Sequence, residues 1–223
     1  MGSVIGDILP LALGIAISPI PIIAAILMLL SPKAKATSVG FLIGWVVGIV
    51  VAVVVFTVLA SIIPASDPSQ SKPISGVIKI VLGALLLLLA LRQWRSRPKT
   101  GEAAALPKWM SAIDTMTAGR GLLLGFLLAA LNPKNLLMGV GAGVIIGSAK
   151  LSLGSEILAI VIFTIIAACT VAIPVIAYLA ASHAMRAPLE GMRGWLVHNN
   201  STVMSVLLLV IGVVLIGKGI GSF

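Results

Sequence analysis

The chain has 223 residues, 60% of them hydrophobic and 9% charged, with a mean hydropathy of +1.22. Apolar runs at this density exclude a soluble globular domain and indicate a polytopic membrane protein. The formal charge of +9 would suit nucleic-acid binding in a soluble chain, but here the cations collect between apolar segments, where membrane orientation accounts for them.

One cysteine, Cys169, excludes an internal disulfide. Two histidines and six scattered acids offer no transition-metal cluster, so neither a cofactor nor a metal is expected. The N-terminus carries Asp7 and no basic region, and reads as a first span instead of a cleaved signal.

Six apolar segments follow in order, over about residues 4–30, 37–63, 74–91, 120–147, 153–181 and 202–220. Each is near the ~20 residues that cross the hydrocarbon core of a bilayer. The first and fourth are longer than a straight span requires, as suits a broken or tilted one.

In the first segment Ser18 is followed by Pro19 and Pro21 at mid-span. Proline cannot donate a helix hydrogen bond, so the helix breaks or kinks there, and Ser18 is placed to cap the new end. The second segment carries Gly40, Gly44 and Gly48 at every fourth position, a small-residue stripe suited to close helix packing. A polar turn over 65–73 precedes the third segment.

The connection over 92–119 is the long one. Trp109, Met110, Ile113 and Met116 have the spacing of a helix lying on the membrane surface, and Pro98, Gly101 and Pro107 suit a solvated linker equally well.

The fourth segment repeats the break with Asn132-Pro133-Lys134-Asn135. A lysine inside an apolar span costs roughly 2.5–3.5 kcal/mol on insertion scales, and by default marks a substrate or ion site. Snorkelling to an interface is the plainer use of the same residue. In the fifth segment Pro174 suggests a kink; Tyr178, Trp94 and Trp195 suit interfacial anchoring. Asp7 and Glu156 lie near outer segment ends, within reach of Lys79, Lys150, Lys218 or water, and His183 and His198 sit at segment ends where solvation is expected.

Lys33, Lys35, Arg92, Arg95, Arg97, Lys99, Lys108, Arg120, Arg186 and Arg193 fall on one side of a six-span arrangement, against Lys72, Lys79, Lys150 and Lys218 on the other. The positive-inside rule puts the first group in the cytoplasm and both termini outside.

Segments one and four thus share a cap former followed by proline, and segments three and six correspond with Gly83 and Gly212 as partners. The expected units are a first three-helix repeat over 1–91, a cytoplasmic linker over 92–119 and a second repeat over 120–223. Three spans per unit is odd, so the second unit enters the membrane from the opposite side. The expected fold is an all-α polytopic membrane protein, six transmembrane helices in a 3+3 inverted repeat with broken helices in spans one and four.

Matching interrupted helices in an inverted repeat point to a secondary transporter's binding site near the midplane. A half-helix starting inside the membrane presents unpaired N–H groups and partial positive charge, and Lys134 adds a full charge. Together they favour an anionic group. The candidate site is Lys134, Asn132, Pro133, Asn135, Ser18, Pro19 and Pro21.

The stretches ISPIPIIAAILMLLSPKAKATSVGFLIGW, from Ile17 to Trp45, and LLLGFLLAALNPKNLLMGVGAG, from Leu122 to Gly143, resemble the GAP family of the lysine-exporter (LysE) superfamily. Its Sap-like proteins are named for addressing glycopeptidolipid or sulfolipid to the cell surface of mycobacteria and their relatives. The resemblance implies export or flipping of an acylated glycolipid, or a lipid-linked intermediate, across the inner membrane of an actinobacterium. By position, Ser18, Pro19 and Pro21 match the family's first-span motif, and Asn132, Pro133, Lys134 and Asn135 its fourth-span motif.

The expected partners are a membrane lipid or glycolipid substrate, the lipid bilayer, a second copy in a homodimer and other lipid-export proteins; no nucleic acid is expected. Two other functions fit the spans: export of an amino acid or other small solute, and a scaffold for a separate lipid transporter. An enzyme does not fit, because the spans hold no paired carboxylates, no serine with a histidine base and no metal cluster.

Overall fold

The structure, a computed structural model, describes residues 1–62, 73–97, 113 and 115–223. The turn over 65–73, except Pro73, and most of the 92–119 connection, with Trp109 and Met110, lie outside the described residues.

Among the described residues there are helices and no strands. They are α1 (Gly2–Ala16), α2 (Pro19–Leu30), α3 (Ala34–Ile62), α4 (Pro73–Arg95), α5 (Ala118–Ala130), α6 (Pro133–Ser148), α7 (Leu153–Ala180) and α8 (Ser182–Ile220). Four of them, α3, α4, α7 and α8, are long and apolar enough to cross a membrane. The pairs α1 with α2 and α5 with α6 make two further candidate spans, bent by 49° and 62° at their breaks. The chain is therefore an all-helical membrane protein with four to six candidate spans.

Both breaks fall at the prolines. Pro19 and Pro133 each occupy the first helical position of the half-helix that follows, where a missing N–H is harmless because that donor would be unpaired anyway. Pro174 behaves differently, and α7 runs through it without interruption.

Close helix packing comes from glycine. α3 and α5 lie side by side in parallel, with Gly40, Gly44 and Gly48 against the backbone of Ala118, Leu122 and Phe126, and Gly121 and Gly125 against that of Thr37 and Phe41. A methyl at Gly44 would collide with the Leu122 carbonyl. Further along α3, Gly143 and Gly147 of α6 take the same role against Phe56 and Thr57, so one helix receives both halves of the broken span. The glycine stripe read from the sequence is a packing surface.

α4 and α8 lie antiparallel, with Gly76 against Gly219 and Gly83 against Gly212. The core fills the space between these pairs. α2 is the most enclosed element, buried from Ile22 to Ile26 and again at Met28 and Leu29, while Phe41 and Trp45 of α3 stack in the interior with ring centroids 6.4 Å apart. Outward, α3 exposes Val47, Val51, Val54, Val55 and Val58, and α7 exposes Ile157, Val161, Ile165, Ile173 and Ile176. Such apolar area on a molecular surface suits contact with lipid.

Two expectations are revised. The sixth segment, read as 202–220, is the second half of a helix that begins at Ser182. Asn199 and Asn200 precede the apolar run but do not break the helix, and the Asn199 Nδ2 donates back along α8 to the Trp195 carbonyl at 2.9 Å. Tyr178 is 7% exposed and belongs to the core, whereas Trp195 and Trp94 are exposed. The Arg97 guanidinium lies 3.8 Å from the centre of the Trp94 ring, a cation–π contact.

Candidate functional site at the two helix breaks

The site begins with a backbone deficit. In an uninterrupted α1 the N–H groups of Ser18, residue 19 and Ile20 would reach the carbonyls of Gly14, Ile15 and Ala16. Pro19 has no N–H, and the Ser18 N–H turns to Ile15 O at 3.1 Å, which leaves the carbonyls of Gly14 and Ala16 without backbone partners.

Other helices supply the missing donors. Lys134 Nζ, from the first turn of α6, donates to Gly14 O at 2.8 Å, and Thr170 Oγ1 of α7 donates to Ala16 O. The lysine is 6% exposed. It does not snorkel: its ammonium turns inward to the C-terminal end of α1, where the carbonyls carry the partial negative charge of the helix dipole.

The second break is repaired from within. Asn132 caps α6, its Oδ1 accepting the Lys134 backbone N–H at 3.1 Å. Asn135 Nδ2 donates to Leu128 O at 2.8 Å. Leu128 stands five residues before Pro133, as Gly14 stands five before Pro19. The equivalent carbonyl of each break is thus held by a side chain from one turn of α6, by adjacent residues.

The seven expected site residues fare unequally. Lys134, Asn132 and Asn135 make these bonds, and Pro19 and Pro133 create the need for them. Ser18 occupies the cap position of α2 and is buried, yet its side chain makes no cap hydrogen bond, unlike Asn132. Pro21 is buried in the first turn of α2. The motif residues read as binding groups therefore serve partly as backbone partners. Gly14 also brings the two breaks into van der Waals contact, since a side chain there would occupy the place of Met138 and Ile211.

The model of one family, described as Sap, sulfolipid-1-addressing protein, matches residues 8–221. The chain belongs to this family. No curated protein and no solved structure matches it. The matched region of this Sap-family chain includes both breaks and, apart from the start of α1, the helices that pack on them.

The electrostatics of the site follow from what surrounds the ammonium. Its hydrogen bond goes to a neutral carbonyl, and the ion pair between Lys218 Nζ and Asp7 Oδ1, at 2.6 Å, lies elsewhere. An ammonium has three donors, so two remain beyond the bond to Gly14. Asn135 Oδ1 is buried with no partner among the described residues, leaving one acceptor on the same turn. Among those residues no group of three or more histidine, cysteine or acidic side chains is placed to hold a metal.

Sequence reasoning missed the acceptors. Gly14 O, Ala16 O and Leu128 O are backbone atoms with no side-chain signature; a proline directly removes only the donor to the carbonyl four residues upstream, and these carbonyls are freed by the break around it.

Proposed function

We propose that the protein is a transporter or flippase of the cytoplasmic membrane that moves an anionic glycolipid or lipid-linked intermediate, its headgroup held at the half-helix ends around Lys134. The observation that carries this reading is the buried Lys134 ammonium, which joins the two breaks through one carbonyl and has two donors left. An oxyanion headgroup is the ligand such donors suit best. The family's description, a protein addressing sulfolipid-1, supports a substrate of this class and outward movement.

In this reading the two breaks belong to a 3+3 inverted repeat within the LysE superfamily. The matched positions of Gly14 and Leu128, and the antiparallel pairing of Gly83 with Gly212, support that symmetry. The basic ends of the spans face the cytoplasm and both termini lie outside. The protein performs no covalent chemistry; its partners are the lipid, the bilayer, a second copy and other lipid-export proteins.

Export of a hydrophilic solute is the weaker reading. Thr164 Oγ1 donates to Ile160 O in its own helix at 2.8 Å, and Asn132, Asn135 and Thr170 also serve the backbone, so these groups do not furnish a polar route.

The test is transport in proteoliposomes with fluorescent lipids that differ in headgroup charge. Faster translocation of an anionic lipid than of a zwitterionic one of equal chain length is the expected result. Equal rates for both, at the level of protein-free vesicles, would remove the reading.

A further inference from the structure

Away from Lys134, a hollow lies where α3 and α5 begin. Beside Gly119, which has open space around it, the hollow of about 550 Å³ lies along the two helices, lined by Gly40, Val39, Ile43 and Leu122, with Lys35 in the first turn of α3 at its end. It is largely open to the outside of the bundle. The side chain of Lys35 is exposed, and so is that of Arg120 one residue beyond Gly119.

The chemistry of the hollow selects its occupant. Its apolar walls offer a hydrated solute no hydrogen-bonding partners. A lysine at the rim of such a groove lays its methylenes on the apolar wall and keeps its ammonium at headgroup level. This end of the bundle also carries Lys33 in the turn before α3, and basic residues at the membrane surface attract anionic lipid of the cytoplasmic leaflet.

We infer that the α3–α5 groove docks an anionic membrane lipid, an acyl chain between Val39 and Leu122 and its headgroup on Lys35. The inference deepens the lipid-transport reading by naming where a lipid of the cytoplasmic leaflet is taken up, and rests on that reading for the orientation of the bundle. Docking itself does not require that the lipid be moved.

The experiment reads binding, not transport. The full chain carrying the photocrosslinker p-benzoylphenylalanine in place of Val39 is reconstituted in vesicles of equal phosphatidylglycerol and phosphatidylcholine, and compared with the same substitution at Val47, which is exposed on α3 outside the groove. The ratio of phosphatidylglycerol to phosphatidylcholine labelled from position 39 should exceed that from position 47 about threefold, and Lys35→Gln should bring the two together. Gly119→Trp should cut labelling from position 39 several-fold, because Gly119 has open space around it and an indole can enter the groove without moving the backbone. Ala36→Trp, from the opposite wall, serves as a second plug where the first fails to fold.

Equal ratios at positions 39 and 47, or labelling indifferent to both plugs, would overturn the inference. A native chain that shows the ratio but moves no lipid would overturn the transport reading and leave this one standing.

Discussion

Lys134 Nζ and Gly14 O, 2.8 Å apart, connect the first turn of α6 to the last turn of α1 across 120 residues of chain. Each half of the contact is explained by a proline. Pro19 frees the carbonyl, and Pro133 starts the half-helix from which the lysine reaches it. The bond places a positive charge at the negative end of a helix dipole, an arrangement worth up to about 2 kcal/mol where partly buried. A ligand anion taking the two remaining donors of Lys134 would share the ammonium with that carbonyl, at the end of α1.

The Asn132 cap is a local stability element. Asn132→Ala removes the acceptor for the Lys134 N–H, and should lower the unfolding free energy of the detergent-solubilised protein by about 1 kcal/mol. Asn132→Asp should retain most of the stability, since aspartate caps equally well. Loss of the same amount in both variants would show that the amide acts elsewhere.

Thr170 is predicted to matter through one hydrogen bond. Thr170→Val keeps the shape and removes the donor to Ala16 O, at a cost of about 1–3 kcal/mol for the carbonyl left unpaired. Thr170→Ser should restore most of it. Thermal unfolding of the three proteins, read by circular dichroism, gives the comparison.

The glycines of α3 are expected to be unequal to those elsewhere. Gly44→Ala puts a methyl into the Leu122 carbonyl and must push α3 from α5, with destabilisation of about 1–3 kcal/mol or more. Gly6→Ala meets nothing within 4 Å in α1, and should be neutral or stabilising by up to about 1 kcal/mol. Equal effects on unfolding would refute the packing assignment.

The Asp7–Lys218 pair ties α1 to α8 at the edge of the bundle, and both side chains are partly exposed. Asp7→Asn is predicted to change stability by about 1 kcal/mol or less, with a smaller difference from native at high salt. Unfolding measured at two ionic strengths checks both statements.

The spans and their breaks were legible because hydrophobic length and proline act locally. Ser18-Pro19 and Asn132-Pro133 mark the two bends to the residue. The start of α8 was not legible, because residues 182–201 include Arg186, Glu190 and Arg193 and a reading by hydrophobic length begins only at 202, although one helix runs through both stretches. Tyr178 was misread for a related reason: its amphipathic ring suits an interface, and only the packing of α7 decides that it turns inward. At the site, the sequence identified Lys134 as out of place, but its acceptor lies 120 residues away and is a carbonyl of glycine, which tertiary packing alone brings near. Asn132 and Ser18 looked equivalent as caps, and only the asparagine makes the bond.

The most direct test of the account is anionic-lipid transport by Lys134→Gln and Lys134→Arg beside the native chain in proteoliposomes, with each variant shown to be folded. The account predicts that Lys134→Gln lowers the rate at least about tenfold, the loss of roughly 1.4 kcal/mol of interaction in the rate-limiting state, and that Lys134→Arg restores part of it. Native rates in both folded variants would contradict it, and would leave the lysine as no more than the donor that holds the broken end of α1.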